Sequence, residues 1–172
     1  MRLFSDDKIG CYLDAIGHRV EKTKGGDECK VVDLTLRVQP FTAQRAATLD
    51  CEVRALLFTM NTTEPKPLIK SVDLALTVPK QRLTVYGFTD DDHDTITCVL
   101  SAAEITRARV RTEKDVEGFA FVFRATVGPL AGEDLEYLQA WHTDSRRVTF
   151  DEQQPALDFA PPDGEVPRHV AH

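Results

Sequence analysis

The 172 residues match the size of one domain, and 42% hydrophobic with 28% charged residues is globular rather than disordered or fibrous composition. The 21 basic and 28 acidic residues give a formal charge of −7, which excludes a bulk electrostatic attraction to nucleic acid or anionic lipid. The sequence starts without an apolar signal segment, and no apolar run reaches the roughly 20 residues of a membrane span. We therefore expect a cytoplasmic protein that does not enter a membrane.

The first part of the chain predicts two strands joined by a loop. Residues 10–22 (GCYLDAIGHRVEK) fit one strand, although their pattern is ambiguous, and KTKGGDE at 22–28 fits the loop. In KVVDLTLRVQ at 30–39, apolar and polar side chains alternate, as in a half-buried strand with one solvent-facing side. Its apolar residues are Val32, Leu34, Leu36 and Val38. We expect the strand to end at Pro40.

The next stretch changes to a helical period. Thr42 suits the N-cap of a short helix through Ala47, and Asp50 suits the N-cap of a second helix. Within the second helix, four apolar residues fall at helical spacing: Val53, Leu56, Leu57 and Met60. The segment NTTEPKP at 61–67 then breaks the helix.

Residues at alternate positions, nearly all of them apolar, then predict a run of five strands. These residues are, strand by strand, Val72, Leu74, Leu76 and Val78; Leu83 and Val85; Ile96, Cys98 and Leu100; Thr106, Ala108 and Val110; and Phe119, Phe121, Phe123, Ala125 and Val127. The links PKQ, TDDDHD, SAA and EKDVEG are short and turn-like. Consecutive strands are therefore expected to pair antiparallel.

The last elements of the predicted domain are a helix and a strand. The segment EDLEYLQAWH at 133–142 predicts a helix with Leu135, Leu138 and Trp141 toward the core, and RRVTF at 146–150 predicts a strand. The predicted fold class is α+β: an antiparallel β-meander, with a partial barrel as one form that it can take, and two or three short covering helices. We assign residues 1–151 to this single domain and 152–172 to a Pro-rich, flexible C-terminal tail.

Two groups of residues are weak candidates for metal binding. In TDDDHD at 89–94, the alternating acids resemble the start of a calcium loop, but Thr95 occupies its glycine position and Ser101 its bidentate carboxylate position. The candidate ligands are Asp90, Asp92, His93 and Asp94. A solvated turn explains them equally well. A zinc site from Cys11, Cys29, Cys51 and His18 remains open, although its spacing matches no zinc knuckle or ribbon.

No catalytic signature is present in the sequence. It contains neither a nucleophile elbow nor a glycine-rich phosphate loop after a strand, and its five histidines stand in no recognisable spacing with Ser, Cys or paired carboxylates. The four cysteines lie far apart and are expected to be free thiols. We therefore predict no catalytic residue and no cofactor, and a non-enzymatic function is favoured.

A row of arginines is the candidate nucleic-acid or acidic-partner face. Residues 104–114 (EITRARVRTEK) place three arginines on one face of a predicted strand, opposite Thr106, Ala108 and Val110, and the next strand adds a fourth. The four are Arg107, Arg109, Arg111 and Arg124. Three of them span roughly 13 Å, which suits a phosphate backbone. Ion pairs with Glu113, Asp115 or Glu117 are the alternative, and the net charge favours it.

The tail contains QPALDF at 154–159, which resembles the short peptide by which bacterial replication and repair proteins bind the DNA sliding clamp. The resemblance implies that Gln154 hydrogen-bonds at one end of a groove on the clamp, and that Leu157 and Phe159 fill its pocket. It covers six residues and departs from the commoner form at Pro155, where a hydrophobic residue is usual. Alternatively, Leu157 and Phe159 fold back on the domain's own core.

The leading hypothesis is a non-enzymatic, macromolecule-binding accessory or adaptor protein, of a kind common in bacteria and their phages. A protein partner is expected, and the sliding clamp is the candidate for the tail. Nucleic-acid binding by the arginine face is the first alternative, and a metal-dependent enzyme at the acidic turn is the second. Exposed edge strands of a meander would also permit a homodimer.

Overall fold

The computed structural model describes residues 3–4, 8–60, 63–66, 69–76, 78–87, 95–112, 118–141 and 144–153. Within these ranges the chain forms seven strands and three short helices. In chain order they are β1 (Ile9–Lys22), β2 (Glu28–Phe41), α1 (Ala43–Leu49), α2 (Cys51–Leu57), β3 (Ser71–Leu74), β4 (Gln81–Tyr86), β5 (Ile96–Thr112), β6 (Phe119–Val127), α3 (Gly132–Ala140) and β7 (Arg146–Glu152). All strand pairings are antiparallel, so the predicted α+β class is confirmed.

The strand pairings close on themselves. The order is β3-β5-β4-β7-β1-β2-β6, and β5 also pairs with β6, so six strands form a ring and β3 adds to β5. Closure depends on the length of β5, which has 17 residues. The first half of β5 pairs with β4, and the second half pairs with β6 and β3.

The apolar core lies on the inner face of this ring, because the period-two pattern turns every second side chain inward. All five predicted inward residues of β6 are buried, and so are the four of β2. Phenylalanine rings fill the centre: Phe121 lies 5.6 Å from Phe4 and 5.1 Å from Phe41, measured between ring centroids. Edge-to-face and offset contacts of this kind add to the stabilisation from burial.

The two predicted N-caps are confirmed. The hydroxyl of Thr42 accepts a hydrogen bond from the backbone N–H of Arg45 at 3.3 Å, and the carboxylate of Asp50 accepts one from the N–H of Glu52 at 2.7 Å. The second helix is shorter than the spacing of its apolar residues predicts. Because α2 ends at Leu57, Met60 lies beyond the helix and is 77% exposed.

The strand predictions need four corrections. The strands predicted on either side of SAA form one strand, β5, because the chain passes through Ala102 (φ 54°) without reversing. A register shift between Thr106 and Arg109 then sets Ala108 inward but leaves Thr106 on the outer face. The strand β2 continues through Pro40 to Phe41, while β3 already ends at Leu74.

The helices of the described residues are short. The longest, α3, has nine residues, and none of the helices is both long and apolar enough to cross a membrane.

Candidate interaction surfaces

The predicted arginine face forms part of a lattice of ion pairs. The guanidinium of Arg109 donates two hydrogen bonds to the carboxylate of Asp73, at 2.5 Å and 3.2 Å, across the β5–β3 pair. These hydrogen bonds hold the pKa of Asp73 below its usual value, although both side chains are exposed. Arg109 is therefore already neutralised within the chain.

Arg124 on β6 faces a second carboxylate. Its Nη1 lies 3.5 Å from Oδ2 of Asp33, and the same oxygen accepts a hydrogen bond from Nε of Arg19 at 2.7 Å. The other carboxylate oxygen, Oδ1, accepts a hydrogen bond from the hydroxyl of Thr126 at 2.6 Å. Partial burial acts to raise the pKa of Asp33, but the hydrogen bonds from Arg19 and Thr126 outweigh it and lower the pKa below its usual value. Asp33 thus serves as the anionic centre of the outer face.

The remaining two arginines differ in setting. Arg107 occupies the irregular point of β5 with φ 52° and is exposed, and Arg111 is half-buried. A surface groove of about 490 Å³ gathers these residues with Arg109, Asp73, Leu74, Ala108 and Val122. The acids predicted as ion-pair partners, Glu113, Asp115 and Glu117, lie outside the described residues. Nucleic-acid binding by this face stays a prediction. Because Arg109 and Arg124 are paired with carboxylates, this face offers phosphate groups less positive charge than the sequence suggested.

Several other predicted sites cannot be placed. The acidic-turn residues Asp90, Asp92, His93 and Asp94 and the tail residues Gln154, Leu157 and Phe159 all lie outside the described residues. Among the residues that are described, no three or more His, Cys, Asp or Glu side chains come together to hold a metal ion. The zinc alternative therefore fails, because the described Cys11, Cys29, Cys51 and His18 do not converge.

The cysteines are free thiols in two settings. Cys51 is exposed and Cys29 is half-buried, whereas Cys11 and Cys98 belong to the core. Burial raises the pKa of Cys11 to about 12. Burial, with the nearby Asp134 carboxylate, raises the pKa of Cys98 to about 12 as well. Neither core thiol is a thiolate at neutral pH, so neither suits nucleophilic chemistry.

An inward-facing arginine, missed in the sequence reading, fixes α3 to the sheet. Arg146 is buried and donates a hydrogen bond to the hydroxyl of Tyr137, with its guanidinium 4.7 Å from the centre of that ring. The Tyr137 hydroxyl donates in turn to the carbonyl of Tyr86 at 3.4 Å. The signal was present in the sequence, since Arg146 stands two and four residues before the inward Val148 and Phe150. These contacts hold α3 against β7 and β4, which is a structural role.

The far half of the β1–β2 hairpin extends beyond its neighbouring strands. β2 pairs with β6 only from Val32 onward, and β1 pairs with β7 only at Ile9–Cys11. We call residues 16–31 the hairpin arm. Its side chains are mostly exposed, and they include Val20 at 56% exposure. The arm therefore offers both backbone edge and apolar surface to a partner.

A groove of about 410 Å³ lies between the arm and the segment that connects β6 to α3. We call it the arm groove. Its apolar lining is Val20, Val31, Val32, Pro129, Leu130 and Leu135, and its basic lining is His18, Arg19 and Lys30. Arg19 is already paired with Asp33 and Glu21, so Lys30 and His18 form the accessible basic rim. An apolar floor with a basic rim suits a segment that carries apolar side chains beside carboxylates.

Sequence reasoning missed the arm groove because its lining comes from three separate segments. Period-two alternation identifies the strands, but it does not show which part of a strand extends beyond the strands that pair with it.

Comparison of the chain with known proteins returns no relative. No protein-family model, no curated protein and no solved structure matches it. A function has to be inferred from the surfaces described above.

Proposed function

We propose that this chain is a non-enzymatic accessory protein that binds a protein partner in the arm groove. The observation that carries the proposal is the combination of an apolar floor and a basic rim on a protruding hairpin. The buried centre of a protein–protein interface is typically apolar and its rim polar, and the arm groove has this composition. The partner segment carries one or two apolar side chains next to Asp or Glu.

The arm groove differs from the ion-paired part of the outer surface in what a partner must break in order to bind. Asp33 pairs with Arg19 and Arg124, and Asp73 pairs with Arg109, so the carboxylates of a protein partner would have to break these ion pairs to bind the three arginines. In the arm groove, an incoming Leu-sized side chain would gain roughly 1.5–3 kcal/mol from burial without breaking any of these pairs. The Lys30 ammonium would steer the carboxylates of the partner to the rim.

The tail supplies a second proposed binding site. Its QPALDF peptide resembles the sliding-clamp-binding peptide, and we propose the clamp as the partner of Gln154, Leu157 and Phe159. The support for this binding site is the sequence resemblance alone. The arm groove and the tail peptide can be tested separately, because different residues form each of these two proposed binding sites.

The arm groove is tested by comparing two charge reversals on the same hairpin. Lys30→Glu reverses the rim charge, whereas Lys24→Glu reverses an exposed lysine at the hairpin turn that does not line the groove. Affinity capture from bacterial lysate, quantified by mass spectrometry, should show a protein retained by the unaltered chain and by Lys24→Glu but lost with Lys30→Glu. Titration of that purified protein should give the same ranking. Identical capture by all three chains contradicts binding in the arm groove.

The tail is tested with purified sliding clamp. Leu157→Ala and Phe159→Ala should each abolish binding to the clamp while leaving the melting temperature unchanged. A lowered melting temperature would instead support the alternative in which these side chains pack on the domain.

A further inference from the structure

We infer that the groove of about 490 Å³ around Arg109 binds a phosphate monoester, with Arg107 and Arg109 holding the phosphate group. We call it the arginine groove. Its lining carries three arginines, Arg107, Arg109 and Arg111, and one carboxylate, that of Asp73. The inference goes beyond the proposed function, since the arginine groove and the arm groove share no lining residue.

The register shift in β5 places these arginines on the outer face of the sheet. Before the shift the inward residues are odd-numbered, Ala103 and Ile105, and after it they are even-numbered, Ala108 and Val110. Without the extra residue in β5, the three odd-numbered arginines would point into the core. Bulges of this kind re-aim side chains, and they are frequent next to functional sites.

Arg107 has a left-handed backbone conformation at this shift, with φ 52°. The conformation is unfavourable for a residue that carries a side chain, and such residues cluster at ligand-binding sites. Ala102 in the same strand also has a positive φ, but its N–H donates a hydrogen bond to the side chain of Gln153. Arg107 is exposed, and no described residue forms a hydrogen bond or an ion pair with its guanidinium. A bound anion would give this side chain its contact.

Asp73 fixes the orientation of Arg109 and leaves part of its guanidinium open. Nε and Nη2 of Arg109 donate to the two carboxylate oxygens of Asp73 at 2.5 Å and 3.2 Å. Because a guanidinium has five N–H donors, the remaining donors include both of those on Nη1. A phosphate oxygen can accept from Nη1 while the ion pair stays intact. A guanidinium that is already held in place also loses little conformational freedom on binding.

The charge of the lining matches a dianion. Three arginines and one aspartate give the arginine groove a formal charge of +2. A phosphate monoester carries about −1.5 to −2 at neutral pH, whereas a phosphate of a nucleic-acid backbone carries a single charge. The row of arginines does not extend the site to β6, because Arg124 is paired with Asp33. The half-buried Val122 offers apolar surface to the organic part of the ester.

Binding is tested by NMR titration of the isotope-labelled full chain with phenyl phosphate. Phenyl sulfate, which has the same ring and a single negative charge, is the matched control ligand. Phenyl phosphate should shift the backbone amides of Arg109 and Val122 and saturate them. Phenyl sulfate should bind roughly fivefold more weakly, because it has one charge fewer. Amides that do not respond to phenyl phosphate, or equal affinities for the two ligands, overturn the inference.

The role of Arg107 is tested by three variants. Arg107→Gln should weaken the binding of phenyl phosphate roughly tenfold, because it removes a charged donor. The control, Arg147→Gln, changes an exposed arginine of β7 outside the groove and should leave the affinity unchanged. Arg107→Gly should weaken binding as much as Arg107→Gln without lowering the melting temperature, because glycine adopts a positive φ readily. Unchanged binding by Arg107→Gln, or a lowered melting temperature for Arg107→Gly, overturns the assignment.

An oligothymidylate without terminal phosphates separates a monoester site from a nucleic-acid face. It should not displace phenyl phosphate from the arginine groove. Displacement that weakens steeply as salt is raised would assign the groove to a nucleic-acid backbone and overturn the inference. Because only purified protein is used, these results do not depend on a partner in the arm groove.

Discussion

The two halves of the β1–β2 hairpin have the same strand geometry and opposite surroundings. In the near half, Cys11, Leu34 and Leu36 lie fully inside the ring, whereas in the far half Val20 and Lys30 are exposed. The difference comes from neighbours, since β6 and β7 cover only the near half. Strand propensity therefore decides that both halves are strand, and tertiary contacts decide which half is core.

This comparison assigns the two halves different tasks. The ring supplies stability through its buried phenylalanines, and the hairpin arm supplies contact surface through its open edge and its groove. Substitutions in the ring should lower the free energy of unfolding, whereas substitutions on the arm should alter association.

Phe121→Ala should have the largest effect on stability. The side chain is fully buried, and its ring contacts those of Phe4, Phe41 and Phe123. We expect a loss of about 3–5 kcal/mol in the free energy of unfolding, measured by urea denaturation, because the change leaves a cavity. Val20→Ala is the matched control on the arm and should cost less than about 0.5 kcal/mol. Equal losses would abolish the distinction between ring and arm.

Asp33→Asn should have an intermediate effect, about 1 kcal/mol at neutral pH, because it removes a charged acceptor shared by Arg19 and Thr126. The pKa of Asp33 is lower in the folded chain than its usual 3.8. Its contribution is therefore complete above that usual value and is lost as the pH falls through the lower folded value. The difference between the unaltered chain and the variant should be constant from pH 7 to about pH 5 and shrink in stronger acid. A difference that grows in acid would contradict the ion pair.

Asp73→Asn should have the smallest effect, since its ion pair with Arg109 is solvent-exposed. We expect a loss of stability below that of Asp33→Asn, and we expect high salt to remove it because salt screens exposed charges. Thermal unfolding at low and high salt measures both effects. A loss that equals that of Asp33→Asn and persists in high salt would show that burial does not separate the two pairs.

Much of the fold could be predicted from local sequence patterns. Alternation identifies the inward residues of β2 and β6, and the side chains of Thr42 and Asp50 mark the starts of α1 and α2. These signals are reliable because each depends on residues close together in the chain.

The remaining features depend on geometry that the sequence does not display. The segment SAA is turn-like, yet β5 passes through it as one strand, and the register shift near Arg107 reverses the expected face of Thr106. The partners of Arg109 and Arg124 are Asp73 and Asp33, which lie far away in the sequence. The arm groove combines β1, β2, the segment before α3 and Leu135 of α3 itself, so no single window of residues contains it.

Amide hydrogen exchange compares the ring with the hairpin arm in one experiment. Amides of β6 should exchange slowly, because the ring buries this strand. Amides of residues 17–22 should exchange much faster, since β7 pairs with β1 only at Ile9–Cys11 and the arm is mostly exposed. Equal protection of β6 and of residues 17–22 would contradict the division of the hairpin into a buried half and an exposed half.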